Sequence, residues 1–280
     1  MSRLIVLILG LVLAACGQGL EPAASPSDRP MRIISLDFCS DQYLLQLADR
    51  EQILALSPDA TRAFSYMREA AVGMPTVRPI AEDVLILKPD LVIRSYGGGP
   101  NAGAFFERAG IPVLQVGWSS SIHGEDMNTV PRITRDVAAG LGHADRGEAL
   151  VQDYLARMGA VEAMASEKSA LYMTPAGVTS GGNSLIHEAM VAAGLTNFTD
   201  RPGWHALPLE RLAFERPDLV ATGFYGAKTN HQHGWSAARH PVAKRELTET
   251  DRINLDGAWL ACGGWYIIEA VEALAAGAAD

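Results

Sequence analysis

The chain has 280 residues, 48% of them apolar, and its 23 basic against 32 acidic side chains give a formal net charge of −9. That balance excludes a nucleic-acid-binding protein, which needs a concentrated basic surface. The length and apolar share suffice for two domains, each with a core of its own.

Residues 1–16 read as an export signal. Arg3 supplies a basic start, Leu4 to Leu13 an apolar run too short to span a bilayer, and small residues precede Cys16. Leu13-Ala14-Ala15-Cys16 resembles the lipobox of bacterial lipoproteins. The resemblance implies cleavage before Cys16, lipidation of its sulfur, and a periplasmic protein held to a membrane by that lipid. The alternative is a plain signal peptide with a coincidental cysteine. Residues 17–30 are a flexible tether rich in Pro, Ser, Ala and Gly. Beyond Cys16 only Cys39 and Cys262 remain, near opposite ends of the fold, and they are expected as two free thiols.

A first α/β lobe is expected over 31–143. Met31 to Leu36 reads as a strand, Ser40 as the cap of a helix through Leu47, and Ile53 to Leu56 as a second strand. Glu82 to Val92 (EDVLILKPDLV) then gives a short helix, a proline stop and a buried strand. A helix around Phe105 and a strand over Pro112 to Val116 follow. Strands alternating with helices at this spacing predict right-handed βαβ units and a parallel sheet.

Residues 127–141 form one helix, and 144–168 a second with an apolar stripe from Leu150 to Met164, long enough to act as a stiff brace. The second lobe, 169–280, repeats the plan. A strand over Ala170 to Met173 leads to a Gly-rich loop, Thr174 to Ser184, and a helix over Leu185 to Ala193. Glu210 to Val220 (ERLAFERPDLV) repeats the first lobe's unit 128 residues on. A short strand near Ile253 and a helix from about Gly263 to Ala276 complete the lobe. In each repeat the helix runs antiparallel to its strand, so Glu82 and Glu210 stand near the carboxyl edge of a sheet, where ligands bind in open α/β folds. Each also reads as a first-turn acid complementing the helix dipole.

The opening RIISL strand, the two E-x6-PDLV units, the bracing helix and the Trp259 to Tyr266 tail resemble the class III periplasmic substrate-binding proteins. This Fe/B12 family feeds vitamin B12 and ferric-siderophore ABC importers. The resemblance covers roughly residues 31 to 275 and implies an α/β fold of two Rossmann-like lobes with parallel sheets, joined by a single long bracing helix. It implies a monomer that is not an enzyme and needs no cofactor or resident metal. Such a protein captures a cobalt- or iron-containing chelate and delivers it to a permease dimer with its ATPase subunits. By position Glu82 and Glu210 would dock into arginines of that permease.

The expected pocket lies between the carboxyl edges of the two sheets. Its candidates are Phe38, Ser57, Tyr96, Trp118, Thr174, Trp204, Phe224, Tyr225 and Trp259, with Arg94 facing an anionic group or forming a structural salt bridge. Aromatic walls suit a large rigid macrocycle. Two alternatives are a zinc- or manganese-binding lipoprotein, suggested by His231-x-His233, and an enzyme such as a chelatase. The first lobe offers only His123 and His143 to the metal reading. The second lacks a nucleophile-base-acid constellation.

Overall fold

A computed structural model describes residues 29–117, 127–162, 166–224 and 236–279. The first lobe runs β1 (Ile33–Ser35), α1 (Phe38–Leu47), β2 (Ile53–Ala55), α2 (Ala81–Ile86), β3 (Leu91–Arg94), α3 (Ala102–Arg108) and β4 (Val113–Gln115). Its strands are all parallel, in the order β2-β1-β3-β4. Two helices follow, α4 (Thr129–Gly140) and α5 (Ala144–Glu162).

The second lobe opens with β5 (Ser169–Met173), β6 (Val178–Ser180), α6 (Leu185–Ala192), β7 (Thr196–Asn197) and β8 (Trp204–Ala206). It continues through α7 (Leu209–Leu212), β9 (Leu219–Gly223), α8 (Pro241–Glu249), β10 (Asp251–Leu255), α9 (Gly257–Leu260) and α10 (Ile267–Ala279). The order β10-β9-β5-β7, again all parallel, is the first sheet's order read from the other edge. The chain therefore contains one topology twice, and the repeated motif falls on α2–β3 and α7–β9.

The motif recurs because its residues do the same work in both lobes. Val84 and Leu212 are fully buried beneath their helices. Asp90 accepts from the backbone N–H groups of Met31 (2.8 Å) and Arg32 (2.9 Å), where the chain enters β1. Asp218 accepts from the Ser169 N–H (2.7 Å), the first residue of β5. Each aspartate thus satisfies strand-entry donors that the sheet leaves unpaired. Pro89 and Pro217 ahead of them keep the chain from re-entering a helix before the strand.

Alternation along the strands divides the interior into three layers. Ile34, Leu36 and Val92 point to an outer core with Val84 and Phe106, and Leu171, Met173 and Val220 to a second outer core with Phe198 and Leu212. Ile33, Leu91 and Ile93 point the other way, as do Ala170, Tyr172, Leu219 and Ala221, and all of these belong to one continuous core. Residues of α1, α4, α5, α6 and α10 fill it.

The brace is described to Glu162, and residues 166–168, expected in the same helix, are not helical. To Glu162 α5 is 19 residues long, or about 28 Å at 1.5 Å per residue. Met164 lies outside the described residues. Arg157 on α5 pairs with Glu269 (3.0 Å) and Glu272 on α10, so a second helix shares the bracing. The Gly-rich loop contains β6, which pairs antiparallel with β8. These three-residue strands carry no apolar alternation long enough to read from sequence.

The expectation of two free thiols is overturned. Cys39 and Cys262 form a disulfide, with Cα atoms 5.5 Å apart across 223 residues of sequence. Cys39 lies in the first turn of α1 and Cys262 follows α9, both beyond the carboxyl ends of strands, and those two edges face each other. Beside the bridge Tyr66 stacks on Tyr266 (4.5 Å) and Tyr43 meets the edge of Trp265 (5.0 Å). Replacing both cysteines with Ala should cost about 2–5 kcal/mol of unfolding free energy, because the bridge closes a very long loop. Denaturant titration reads this, and an unchanged stability would rule the cross-link out.

Candidate ligand-binding site

The strand order switches direction between β1 and β3 in one lobe and between β5 and β9 in the other, the positions where open α/β sheets form crevices. In the first lobe one carboxylate organises that point. Asp37, the N-cap of α1, accepts from the Ser40 N–H at 2.9 Å. Its other oxygen accepts from the N–H groups of Ser95 (2.8 Å), Tyr96 (3.0 Å) and Gly97 (2.8 Å). The loop after β3 is thereby fastened to the chain leaving β1. At Gly97 a Cβ would stand 2.2 Å from the Leu36 carbonyl oxygen, so only glycine permits this approach.

Aromatic rings line the edge so formed. Phe38, on the first turn of α1, meets Phe64 at 4.7 Å and Tyr96 at 6.2 Å, both edge-on. Tyr96 is 43% exposed. Gln42 holds Phe64 in place indirectly: its side chain donates to the Ser65 hydroxyl (2.7 Å) and accepts from the Met67 N–H (2.6 Å). In the second lobe Trp204 on β8 is 56% exposed, its ring 6.0 Å from that of the buried Tyr172. Phe224 leaves β9 in the left-handed region (φ 65°), with its ring over Gly257. Across the lobes Arg68 pairs with Asp256, the N-cap of α9, at 3.7 Å.

Of the residues expected at the pocket, the structure brings Phe38 and Tyr96 together on one lobe and leaves Trp204 and Phe224 at the edge of the other. Three polar candidates are engaged elsewhere, because buried hydroxyls and guanidiniums must find partners. Ser57 is buried and donates its hydroxyl to Asp41 (2.6 Å). Thr174 donates to the Val178 carbonyl (3.1 Å) within the turn from β5 to β6. Arg94 donates to the carbonyls of Gly97 (2.8 Å) and Gly99 (2.9 Å) and to Gln115 (3.3 Å). It braces the loop, and among the described residues it has no salt-bridge partner. Trp259 is half-buried and packs on the shared core.

Trp118, Tyr225, His123, His231 and His233 lie outside the described residues. Among the described residues no three of His, Cys, Asp or Glu converge on a metal-sized site. Phe64 and Tyr172 carry no sequence signal of a role at this edge. The segment after β2 has no periodicity, and a tyrosine inside a strand reads as core. Glu82 and Glu210 stand exposed in the first turns of α2 and α7. A recess of about 370 Å³ between α1 and α5, lined by Gln46, Leu47, Arg146 and Leu150, opens at the opposite, amino edge of the first sheet.

Beneath the aromatic edge lies a buried acid. Asp41 accepts from the Ser57 N–H (3.0 Å) and hydroxyl. Burial pushes its carboxyl up to about 6, against the hydroxyls of Ser35 and Ser57, which pull it down. Between its ordinary value of 3.8 and about 6 the folded protein holds a proton that the unfolded chain releases. Stabilisation from this group is therefore complete below the ordinary value and lost as pH rises through the raised one. The Asp41→Asn variant carries no such dependence. Its stability relative to the parent should rise by about 2 kcal/mol between pH 4 and pH 7, most of the free energy of moving a carboxyl from 3.8 to about 6. Denaturant curves of both proteins across that range check it, and a pH-independent difference would refute the raised value.

The sequence profile of the periplasmic binding protein family matches residues 33–230. A search of curated proteins finds no match. Among solved structures, the chain is similar to the periplasmic heme-binding protein RhuT from Roseiflexus sp. RS-1, at 21% identity and a TM-score of 0.66, covering 88% of this chain and 98% of that one. It is also similar to the periplasmic vitamin B12 binding protein BtuF of Vibrio cholerae (17% identity, TM-score 0.64, 89% and 96% covered). A periplasmic binding protein from Veillonella parvula aligns with a TM-score of 0.68 at 14% identity, covering 89% and 91%. At such identities these structures establish the two-lobed fold, and the profile spans most of the chain. The protein belongs to the periplasmic binding protein family, whose Fe/B12 class its paired repeats resemble.

Proposed function

We propose that the protein is the substrate-binding component of an ABC importer, holding one metal chelate of corrinoid or ferric-siderophore type between its lobes and delivering it to the permease. The observation that carries this reading is the aromatic edge of Phe38, Phe64 and Tyr96 on one lobe, with the exposed Trp204 on the edge of the other. Broad ring faces with few placed polar groups suit a large rigid ligand. Solved relatives named for heme and vitamin B12 support a chelate of that kind. The shared core, the disulfide and the Arg157 pairs tie the lobes, so capture proceeds with little closure. In this reading the protein works by binding and release, not catalysis, and Cys16 carries a lipid that keeps it at the periplasmic face of a membrane.

Titration with cobalamin, a panel of ferric siderophores and heme should find one ligand that quenches tryptophan emission at one site per monomer. Phe38→Ala and Tyr96→Ala should each weaken it about tenfold, the loss of one good ring contact. Binding of free Zn²⁺ or Mn²⁺ with no chelate bound would favour the metal-ion alternative.

Glu82 and Glu210 are proposed as the permease-docking acids, exposed at equivalent places on the two lobes. Changing both to Ala should cut uptake and leave ligand affinity within about twofold, as for surface changes remote from a site. Lost ligand affinity would move the glutamates into the pocket. Cys16→Ser should leave the precursor unlipidated, and membrane-bound mature protein after that change would remove the anchor.

A further inference from the structure

Among the described residues the two most exposed large apolar side chains are Phe214, at 90%, and Ile86, at 77%. They occupy the same position of the repeated motif, the fifth residue of EDVLILKPDLV and of ERLAFERPDLV. Single exposed apolar residues are ordinary on protein surfaces. This pair is not ordinary, because three other motif positions do the same work in both lobes. The third residue is core (Val84, Leu212), the ninth holds the entry of the central strand (Asp90, Asp218), and the first is an exposed acid (Glu82, Glu210). The fifth residue could be polar at no cost to either core, yet both lobes place a bulky hydrocarbon there.

Geometry joins each knob to its acid. Residues four apart lie on one face of a helical turn. Ile86 is the last residue of α2, four after Glu82; Phe214 follows α7 by two residues, in a turn continued by the bonds of the Phe214 and Glu215 N–H groups to the Arg211 carbonyl. Each lobe thus displays an acid and, one turn on, an apolar knob. The identical strand order of the two lobes makes the two displays equivalent.

We infer that Ile86 and Phe214 are paired docking knobs, each seated in an apolar socket that lies beside a basic group on a two-fold-symmetric partner, the permease dimer. This rests on the importer reading above and adds to it a desolvated contact that an exposed carboxylate does not provide. Rim charges act mainly on encounter rate and salt dependence, whereas buried apolar anchors dominate the lifetime of a complex. The acids would steer and the knobs hold. Because the two copies of the motif differ at this position, an isoleucine and a phenylalanine would enter two chemically alike sockets of different fill.

The test uses the full-length host permease–ATPase complex in nanodiscs, with the purified protein and its Ile86→Ser, Phe214→Ser and double variants. Both residues are exposed, so melting temperature and ligand affinity of the variants should match the parent. Each single change should speed dissociation several-fold and the double change at least tenfold, and the loss should persist in 1 M salt. The Glu82→Ala/Glu210→Ala protein should instead lose association rate and converge with the parent in 1 M salt. A double variant that dissociates within twofold of the parent overturns the knobs while leaving the importer reading intact. A parent protein that binds no permease overturns both. Loss of self-association, or of binding to protein-free liposomes, with permease binding unchanged would assign the knobs to a second copy or to lipid and overturn the inference.

Discussion

Everything in this fold depends on one core being shared by two sheets. Each sheet has only four short parallel strands, and such a sheet must be covered on both faces. The outer faces find cover within their own lobes, through α2, α3, α7 and α8. The inner faces do not. They converge on one apolar volume filled from both halves of the chain, with α1 and α4 from one side, α6 and α10 from the other, and α5 running between. Neither lobe can rotate far without exposing that volume, and the disulfide and the tyrosine stack fix the same junction at the cleft.

The first lobe builds its aromatic edge with carboxylates. Asp37 takes hydrogen bonds from three successive backbone N–H groups while capping α1, so the loop bearing Tyr96 and the helix bearing Phe38 are positioned by one side chain. Arg94 supports the same loop from within the sheet, through the Gly97 and Gly99 carbonyls. Asp41, one helical turn beyond Asp37, holds the segment that follows β2 through Ser57. Polar groups in this region serve the backbone, and the rings are left to face outward.

The second lobe reaches a similar edge by different means. Its equivalent turn is occupied by the β6/β8 ribbon, which carries Trp204 above the carboxyl end of β5, and by Phe224 in a left-handed conformation over Gly257. The lobes therefore match in strand order and in motif but diverge at the carboxyl edges of their sheets. The two motif-bearing rims are thus alike while the edges between them differ.

Local pattern alone determined much of this molecule. The two E-x6-PDLV units identified the duplication, because a short helix, a proline and a buried strand in that order need the same residues wherever they occur. The brace, the parallel sheets and the placing of Phe38, Tyr96 and Trp204 near strand ends followed from periodicity and element order. Other features exist only through contacts distant in sequence. The Cys39–Cys262 bridge needs two sheet edges to face each other across 223 residues. The ribbon of β6 and β8 consists of strands too short to announce themselves, each meaningful only against the other. Ser57, Thr174 and Arg94 stand at strand ends as a pocket residue should, but whether a polar group at such a place faces a ligand or the backbone is decided by the nearest unpaired partner. That partner is set by how neighbouring loops pack, and loop packing depends on the tertiary structure.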